Sequence, residues 1–374
     1  MERRRWAGDT STLSTPRILP DAHAEGASGG DTGRMTVFVA TSVGEALDAL
    51  TASKPPEILA GGTDLMVEVN FGRRRPDAIV SIGRIASLRR WRCSGEGDAS
   101  ADGEPPEQRE LDVDGVRSAG VVEVGAGVTY RQMTEEALAG LVPALAQAAR
   151  TVGSPQIRNA GTLGGNLATA SPAGDTLPVL LALDAEVVVA RADGSRLLPV
   201  RELVLGPKRS ALAPGELIVA ARLPARFGHQ EFVKVGTRNA MVIATASVAL
   251  VVSWEPLDVR VALGSVGPTP LRVPAAEDYA CARLDAASGE LRGGRADLER
   301  FAELVRAAAR PIDDHRSSAR YRRHAVGVCA ERALQRAMRS RQVTLGAGGD
   351  RVRVGAQMLP EGESPSEGAR WATS

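Results

Sequence analysis

The sequence predicts an α+β protein, in which a small β-α-β unit precedes a mixed or antiparallel sheet with helices and a smaller α+β domain. Residues 36–82 alternate short apolar strand patterns with helix patterns, which is typical of β-α-β units. Two apolar runs at 248–254 and 259–263, separated by a short polar turn, predict antiparallel strands. Amphipathic patterns at 297–310 and 317–338 predict two helices behind this short antiparallel sheet.

The first unit contains strand patterns at 35–40, 58–60 and 78–82. Ser42 is a suitable N-cap for a helix over 42–52, which has apolar residues along one face. A short helix over 63–70 follows the second strand, and a glycine pair lies between them. A loop at a strand end and a helix start offers free N–H groups and a favourable dipole, so we expect an anion to bind there.

The middle of the chain repeats this mixture of strand and helix signals. Thr129 and Gly153 have the residue types expected at a helix start and just after a helix end. The patterns predict strands over 121–124, 186–190 and 216–223, and helices over 129–138, 144–152 and 176–183.

Composition divides the chain into segments. Residues 1–34 and 341–374 are polar with little periodicity, so we expect a disordered extension and a flexible tail. Residues 93–118 are acidic and contain a proline pair, which predicts an exposed insertion. The folded segments are then a first subdomain at 35–88, a second subdomain at 89–224 and a C-terminal α+β domain at 225–340.

Composition also limits the functions that the chain can have. With 46 basic and 45 acidic residues, the net charge of +1 gives no electrostatic case for nucleic acid binding. No apolar run reaches about 18 residues, so we expect no membrane span, and no apolar stretch follows the basic N-terminus as a signal peptide requires.

The cysteines and histidines predict no metal site. Cys93, Cys281 and Cys329 are scattered and cannot supply the four thiolates that an iron–sulfur cluster usually needs. The four histidines show no metal-ligand spacing. Free thiols are typical of a reducing compartment, so we expect a cytoplasmic protein.

Two glycine-rich segments give the strongest functional signal. The first is AGGTDL at 60–65, and the second is RNAGTLGGN at 158–166, followed by ASPAGD at 170–175. Glycine lets a backbone approach a ligand closely, and bare N–H groups in such loops form concave anion sites. Two loops of this kind can hold one dinucleotide from two sides.

Neither segment is a common nucleotide fingerprint. The sequence contains no G-x-x-x-x-G-K-[ST], which argues against a P-loop ATPase. The segment GAGVTY at 125–130 begins like a Rossmann fingerprint, but Tyr130 stands where the third glycine belongs. A tight turn after a strand is therefore the simpler interpretation of Gly125 and Gly127.

Taken in order, these motifs resemble the FAD-binding subunit, subunit M, of the molybdenum hydroxylases. That family includes the flavin subunits or domains of xanthine dehydrogenase, aerobic carbon monoxide dehydrogenase and hydroxybenzoyl-CoA reductase. The similarity spans residues 36–338. Beyond the two glycine-rich segments, it rests on RP at 75–76 with VSIGRI at 80–85, GAGVT at 125–129, PGELI at 214–218, KVGTR at 234–238, GPTPLR at 267–272, and DD at 313–314 with YRR at 321–323.

The resemblance implies FAD as cofactor, held by a two-subdomain FAD-binding domain. It implies no catalytic side chain, since the flavin carries the redox chemistry and the protein binds and orients it. The cofactor-binding residues that it implies are Ile58, Leu59, Ala60, Gly61, Gly62, Thr63, Asp64, Leu65, Thr162, Leu163, Gly164, Gly165, Asn166, Asp175, Ile218 and Lys234.

Several of these side chains have a chemical reason to meet a dinucleotide. The hydroxyls of Thr63 and Thr162 and the amide of Asn166 can donate hydrogen bonds to phosphate oxygens. Asp175 can accept from ribityl or ribose hydroxyls, or it can be the N-cap of the following helix. Lys234 can place positive charge near the cofactor, or it can be a solvated surface lysine.

Two positions depart from the family pattern. Val152 stands where one family branch stacks an aromatic residue on the flavin, and Val242 stands where some relatives have Asp. The departures leave the tuning of the flavin and the choice of electron acceptor open.

The resemblance implies an electron-transfer subunit. In the family, electrons come from a large subunit with molybdenum cofactor through a small [2Fe–2S] subunit, and the flavin passes them to NAD⁺, a quinone or O₂. The alternatives are a stand-alone FAD-dependent oxidoreductase of the same fold and a flavin-free scaffold subunit. The lack of a His or Tyr base beside the glycine-rich segments argues against the first, and the intact glycines argue against the second.

Overall fold

The described part of the chain contains three larger sheets, two two-stranded sheets and the helices between them. The structure is a computed structural model and describes residues 35–94, 120–224 and 228–346. The expected extension at 1–34, most of the expected insertion at 93–118 and the end of the expected tail lie outside these residues.

The first sheet is a parallel three-stranded sheet with the order β1-β3-β2, as the β-α-β pattern predicts. Ser42 caps the first helix, because its hydroxyl accepts the N–H of Glu45 at 3.2 Å. The buried face of that helix packs with Val80 and Ile82. The elements are β1 Thr36–Val39, α1 Val43–Leu50, β2 Glu57–Leu59, α2 Leu65–Asn70, β3 Ala78–Ser81 and a 3₁₀ turn at Ala86–Arg89.

The second sheet has five antiparallel strands in the order β4-β5-β10-β6-β7. Cys93, expected at the start of the insertion, lies in β4 and pairs with Val122. The elements are β4 Trp91–Ser94, β5 Val121–Gly125, a 3₁₀ turn at Gln132–Thr134, α3 Glu136–Leu141, α4 Pro143–Thr151, α5 Pro155–Ala160, α6 Leu163–Thr169, α7 Thr176–Ala182, β6 Glu186–Arg191, β7 Gly194–Pro199, α8 Val200–Leu203, β8 Val204–Gly206, β9 Arg209–Ser210 and β10 Leu217–Pro224.

The single helix expected over 129–138 is two elements, a 3₁₀ turn and then α3. Thr129 does accept the N–H of Gln132 at 3.3 Å, as a cap would. A second hydrogen bond runs in the opposite direction, because Oε1 of Gln132 accepts the N–H of Thr129 at 3.0 Å. These local side-chain bonds satisfy the backbone of a turn and so compete with a continuous helix.

The third sheet is antiparallel, with the order β11-β12-β13-β14, and includes both strands predicted from the apolar runs. Phe301 of α10 and Val326 of α11 are fully buried behind it. The elements are β11 His229–Val235, β12 Ala246–Trp254, β13 Leu257–Gly264, β14 Leu271–Arg272, α9 Pro274–Arg283, β15 Leu284–Asp285, β16 Glu290–Leu291, α10 Gly294–Ala308 and α11 Ala319–Gly346.

Strand β12 is buried on both faces and joins two hydrophobic cores. Val248 and Leu250 face the core that includes α10 and α11, whereas Ala249 and Val251 belong to the core that includes α4 and α7. Side chains alternate across a strand, so one strand fills both cores. The third sheet is therefore packed between helices of the second and third parts of the fold.

Helix α11 extends beyond its predicted end at Met338 to Gly346, so residues 341–346 of the expected tail are helical. The apolar pattern fades there, but Arg341 donates to Ala286 O at 3.2 Å and to Glu255 Oε1 at 3.0 Å. Polar contacts of this kind leave no apolar periodicity in a sequence. None of the helices in the described ranges is long and apolar enough to cross a membrane.

Candidate functional site

The first glycine-rich segment is a turn between β2 and α2 with a run of free backbone donors. The N–H groups of residues 60–64 have no hydrogen-bond acceptor among the described residues. Gly62 has a φ of +71°, a conformation that side-chain-bearing residues rarely adopt. Consecutive free N–H groups at a helix start are suited to bind an anion, and anion binding by this segment stays a prediction from the sequence.

The second glycine-rich segment is mostly helical, in contrast to the expected loop. It spans the end of α5 and the first turn of α6. Thr162 caps α6, because its Oγ1 accepts the N–H of Gly165 at 3.1 Å. The expectation of bare N–H groups is wrong for the next two residues, since Leu163 donates to Val128 O at 3.0 Å and Gly164 donates to Ala126 O at 2.8 Å.

Close packing explains the glycine at 164. A Cβ on Gly164 would lie 2.6 Å from the Cβ of Ala126, which is closer than real Cβ contacts. The first turn of α6 can therefore rest on the turn after β5 only without a side chain there. Gly165 is more open, because its Cβ would have one close neighbour, the Thr162 hydroxyl at 3.1 Å.

The structure brings the two glycine-rich segments together. A Cβ on Gly61 would lie 1.8 Å from the carbonyl oxygen of Ala160, so the backbones are in direct contact. At the other end, the hydroxyl of Thr169 lies 3.5 Å from Oδ2 of Asp64. The free donors of the first segment thus lie beside the capped N-terminus of α6.

Asp175 and Lys234 form a buried ion pair. The Nζ of Lys234 lies 2.5 Å from Oδ2 of Asp175 and 3.1 Å from the carbonyl oxygen of Thr151. The Thr151 hydroxyl lies 3.2 Å from the same Oδ2. Lys234 is therefore not a solvated surface lysine. Asp175 does stand at the N-cap position of α7, as the alternative interpretation predicts, but its side chain makes no cap bond to that helix.

One oxygen of Asp175 is an unsatisfied acceptor. Its Oδ1 is buried and has no hydrogen-bond partner among the described residues. Burial raises the pKa of this carboxyl, while the charge of Lys234 and the hydrogen bonds of Lys234 and Thr151 lower it. A buried acceptor without a donor is costly, so Oδ1 is suited to accept from a ligand hydroxyl.

Tyr130 lies beside the second segment, so the expectation of no His or Tyr beside the glycine-rich segments is wrong for this residue. The antiparallel bridge between Thr129 and Thr162 places its ring against Gly161, whose Cβ would lie 2.7 Å from the ring. Burial and the Asp175 charge raise the pKa of the Tyr130 phenol, so it stays protonated at neutral pH and is no general base.

Asn166 belongs to the same polar cluster. Its Oδ1 accepts the hydroxyl of Thr176 at 2.5 Å. A hydrogen bond with Asn166 also lowers the pKa of the Tyr130 phenol, against the larger effects of burial and the Asp175 charge. The cluster also includes Thr151, Thr176 and Tyr130, none of which is among the site residues predicted from the sequence. Only Tyr130 left a signal, as the residue that breaks the Rossmann-like pattern at 125–130.

The remaining predicted contacts are apolar. Ile58 and Leu59 are half-buried in β2, and Leu65 begins α2. Ile218 is buried in the core around β10, beside a bulge between Ile218 and Ala220 in the ladder with β6. No group of three His, Cys, Asp or Glu within the described ranges could hold a metal ion.

Comparison with known families covers most of the chain. Residues 33–98 and 110–226 match the family described as FAD binding domain in molybdopterin dehydrogenase. Residues 231–337 match the CO dehydrogenase flavoprotein C-terminal domain. Both families are flavoprotein domains, and they occur in the order that the resemblance implies.

Individual relatives agree with the families. The glyceraldehyde dehydrogenase medium chain of Sulfolobus acidocaldarius is 29% identical over 300 residues, which are 79% of this chain and 95% of the relative. The nicotine 6-hydroxylase medium subunit of Paenarthrobacter nicotinovorans is 30% identical over 291 residues, which are 75% and 89%.

A solved structure shares the fold. A chain of carbon monoxide dehydrogenase from Hydrogenophaga pseudoflava, in a form that lacks the Mo-pyranopterin moiety of the molybdenum cofactor, matches with a TM-score of 0.67 at 28% identity. The match covers 82% of this chain and 98% of that chain. The chain therefore belongs to the family of FAD-binding medium subunits of xanthine and carbon monoxide dehydrogenase-type oxidoreductases, and its cofactor is FAD.

Proposed function

We propose that this chain is the electron-transfer flavin subunit of a molybdenum hydroxylase complex. The observation that carries the proposal is the run of free N–H groups at 60–64, packed against the N-terminus of α6. Such donors suit the pyrophosphate of a dinucleotide. When bound, FAD supplies the redox chemistry, and the chain binds and orients it.

The residues fit a flavin dinucleotide in three ways. The N–H groups of residues 60–64 would hold the pyrophosphate oxygens, and the hydroxyl of Thr63 would add a donor. The free Oδ1 of Asp175 would accept from a ribityl or ribose hydroxyl. Lys234 would oppose the rise that burial causes in the pKa of Asp175 and add positive charge beside the cofactor. The other residues implied by the resemblance remain candidates for the same site.

The electron donors belong to partner subunits in this proposal. The relatives are named as medium chains or medium subunits, which supports a complex with a molybdenum-cofactor-containing large subunit and a [2Fe–2S] small subunit. Three cysteines cannot supply the four thiolates of a cluster within this chain. The free thiols support a cytoplasmic complex.

Purification from the native cells tests this assignment. A tagged full-length chain should co-purify with two further subunits, with molybdenum and iron, and with bound FAD. Metal analysis measures the molybdenum and iron, and the visible spectrum measures the FAD. A chain that purifies alone with stoichiometric FAD and without either metal would contradict the proposal and favour the stand-alone oxidoreductase.

The acceptor is tested on the purified complex. The reduced flavin is mixed in turn with NAD⁺, a soluble quinone and O₂, and its reoxidation is followed by absorbance. We expect one acceptor to react much faster than the other two. Reoxidation by none of the three, with flavin still bound, would exclude the proposed electron exit.

A further inference from the structure

Arg322 is a buried arginine that forms hydrogen bonds to two backbone segments of the C-terminal sheet. It lies in the first turn of α11 and is 3% exposed. Its Nη1 donates to the carbonyl oxygens of Thr245 at 2.8 Å and Ser265 at 2.9 Å, and its Nη2 donates to Asp314 Oδ1 at 2.6 Å. Thr245 precedes β12 and Ser265 follows β13. One guanidinium therefore binds both chain segments at the same end of this strand pair.

One of these segments leads to Lys234. The N–H of Thr245 donates to the carbonyl oxygen of Val235 at 2.7 Å. Val235 is the last residue of β11, and Lys234 precedes it. The bond from Arg322 to Thr245 thus fixes the strand end from which the Lys234 side chain reaches Asp175.

The other segment leads to Asp175. Ser265 has a φ of +62°, and its N–H donates to the carbonyl oxygen of Pro172 at 2.9 Å. Pro172 lies in the ASPAGD segment, three residues before Asp175. The bond from Arg322 to Ser265 therefore fixes the turn that presents the Asp175 carboxyl.

We infer that Arg322 is a positioning residue for the flavin site, because it holds the Lys234 and Asp175 segments in register through Thr245 and Ser265. The inference rests on the proposed contact of this ion pair with FAD. Arg322 reaches the ion pair only through the backbone carbonyls of Thr245 and Ser265. Its planar guanidinium binds two carbonyls and a carboxylate at once, a geometry that a lysine ammonium reproduces poorly.

A double-mutant cycle on the full-length chain tests the inference. The dissociation constant of FAD is measured for the wild type, R322Q, K234Q and the double variant. If Arg322 acts through the pair, R322Q should weaken binding about tenfold in the wild type but less than about threefold when Lys234 is already replaced. The visible circular dichroism of the bound flavin should change in R322Q. R323Q, at the neighbouring exposed arginine, is the matched control and should bind FAD as the wild type does.

The outcomes separate the inference from the proposed site. Equal weakening by R322Q in both backgrounds would mean a general structural role and would overturn the inference. Normal FAD affinity of K234Q would overturn the contact of Lys234 with the cofactor, and the inference with it. If R322Q does not fold, R322K is used in the same cycle, because it keeps the buried charge but loses the forked geometry.

Discussion

The Nζ of Lys234 lies 2.5 Å from Oδ2 of Asp175, and the two side chains are only 7% and 6% exposed. The pair joins β11 of the C-terminal sheet to the residue before α7, 59 positions away in the sequence. Each charge is stabilised by the other, because burial removes both side chains from contact with solvent. Breaking one half of such a pair leaves an uncompensated buried charge.

We expect K234M to destabilise the protein strongly at neutral pH. The carboxylate of Asp175 would lose its counter-charge while it stays buried, so the free energy of unfolding should fall by about 3 kcal/mol. Urea denaturation at pH 7 measures it. K54M is the control, because Lys54 pairs with Asp77 on the surface and should leave the denaturation midpoint unchanged.

The effect of K234M should depend on pH. Burial raises the pKa of Asp175 above its ordinary value of 3.8, and removal of Lys234 raises it further. A folded-state pKa above the unfolded value means that the folded protein binds the proton more tightly, so stability falls as pH rises between the two values. The deficit of K234M against the wild type should therefore shrink toward pH 4. A deficit that is constant from pH 4 to pH 8 would contradict this account.

Gly61 should be essential for the fold and not only for the cofactor. The Cβ of G61A would lie 1.8 Å from a backbone oxygen of Ala160, which cannot move without shifting α5. We expect a loss of at least about 2 kcal/mol of unfolding free energy in the absence of FAD. Gly83 has no heavy atom within 4 Å of its Cβ position, so G83A is the matched control. Wild-type stability of apo G61A would show that the two segments do not touch.

Gly165 offers the opposite test. A Cβ there meets only the Thr162 hydroxyl at 3.1 Å, and alanine is the better helix former by up to about 1 kcal/mol. G165A should therefore keep or gain thermal stability. Its affinity for FAD should fall about tenfold if the cofactor lies against this turn, as measured by titration of the apoprotein. Unchanged affinity would remove Gly165 from the proposed site.

Local sequence patterns were sufficient for only part of the regular structure. The spacing of apolar residues within each segment was enough to predict the β-α-β unit, the strands β12 and β13 and the helices α10 and α11. The second glycine-rich segment was mispredicted as a loop, because its N–H groups bond to Ala126 and Val128, more than thirty positions earlier. Long-range partners of this kind leave no local signal.

In the candidate site, too, single residues were predictable from the sequence but their long-range partners were not. The resemblance named Asp175 and Lys234 separately, but the sequence contains no sign that they bind each other. Thr151 and Arg322 were missed as partners, since one contributes a hydroxyl and a carbonyl to the pair and the other acts through backbone carbonyls. Side-chain chemistry can be read from a sequence, whereas the carbonyl that a side chain meets depends on the fold.

The last prediction concerns Arg272, which links β14 to the end of α7. Its Nε and Nη2 bind Glu277 at 2.7 and 2.8 Å, and its Nη1 binds Asp184 at 2.6 Å. Glu277 is buried and accepts the N–H of Val261 at 2.9 Å. Asp184 has a second partner in Arg260. Replacement of Arg272 therefore removes the hydrogen-bonded counter-charge of Glu277, whereas Asp184 keeps its ion pair with Arg260.

R272M should lower the free energy of unfolding by about 2 kcal/mol, because Glu277 keeps a buried charge with a single backbone donor. R272M/E277Q should be more stable than R272M, since the neutral amide removes that charge. Urea denaturation compares both with R201M, which breaks the exposed pair of Arg201 and Glu202 and should resemble the wild type. Additive losses from R272M and E277Q would show that the two side chains are not coupled, and that the contact between β14 and α7 is maintained by apolar packing instead.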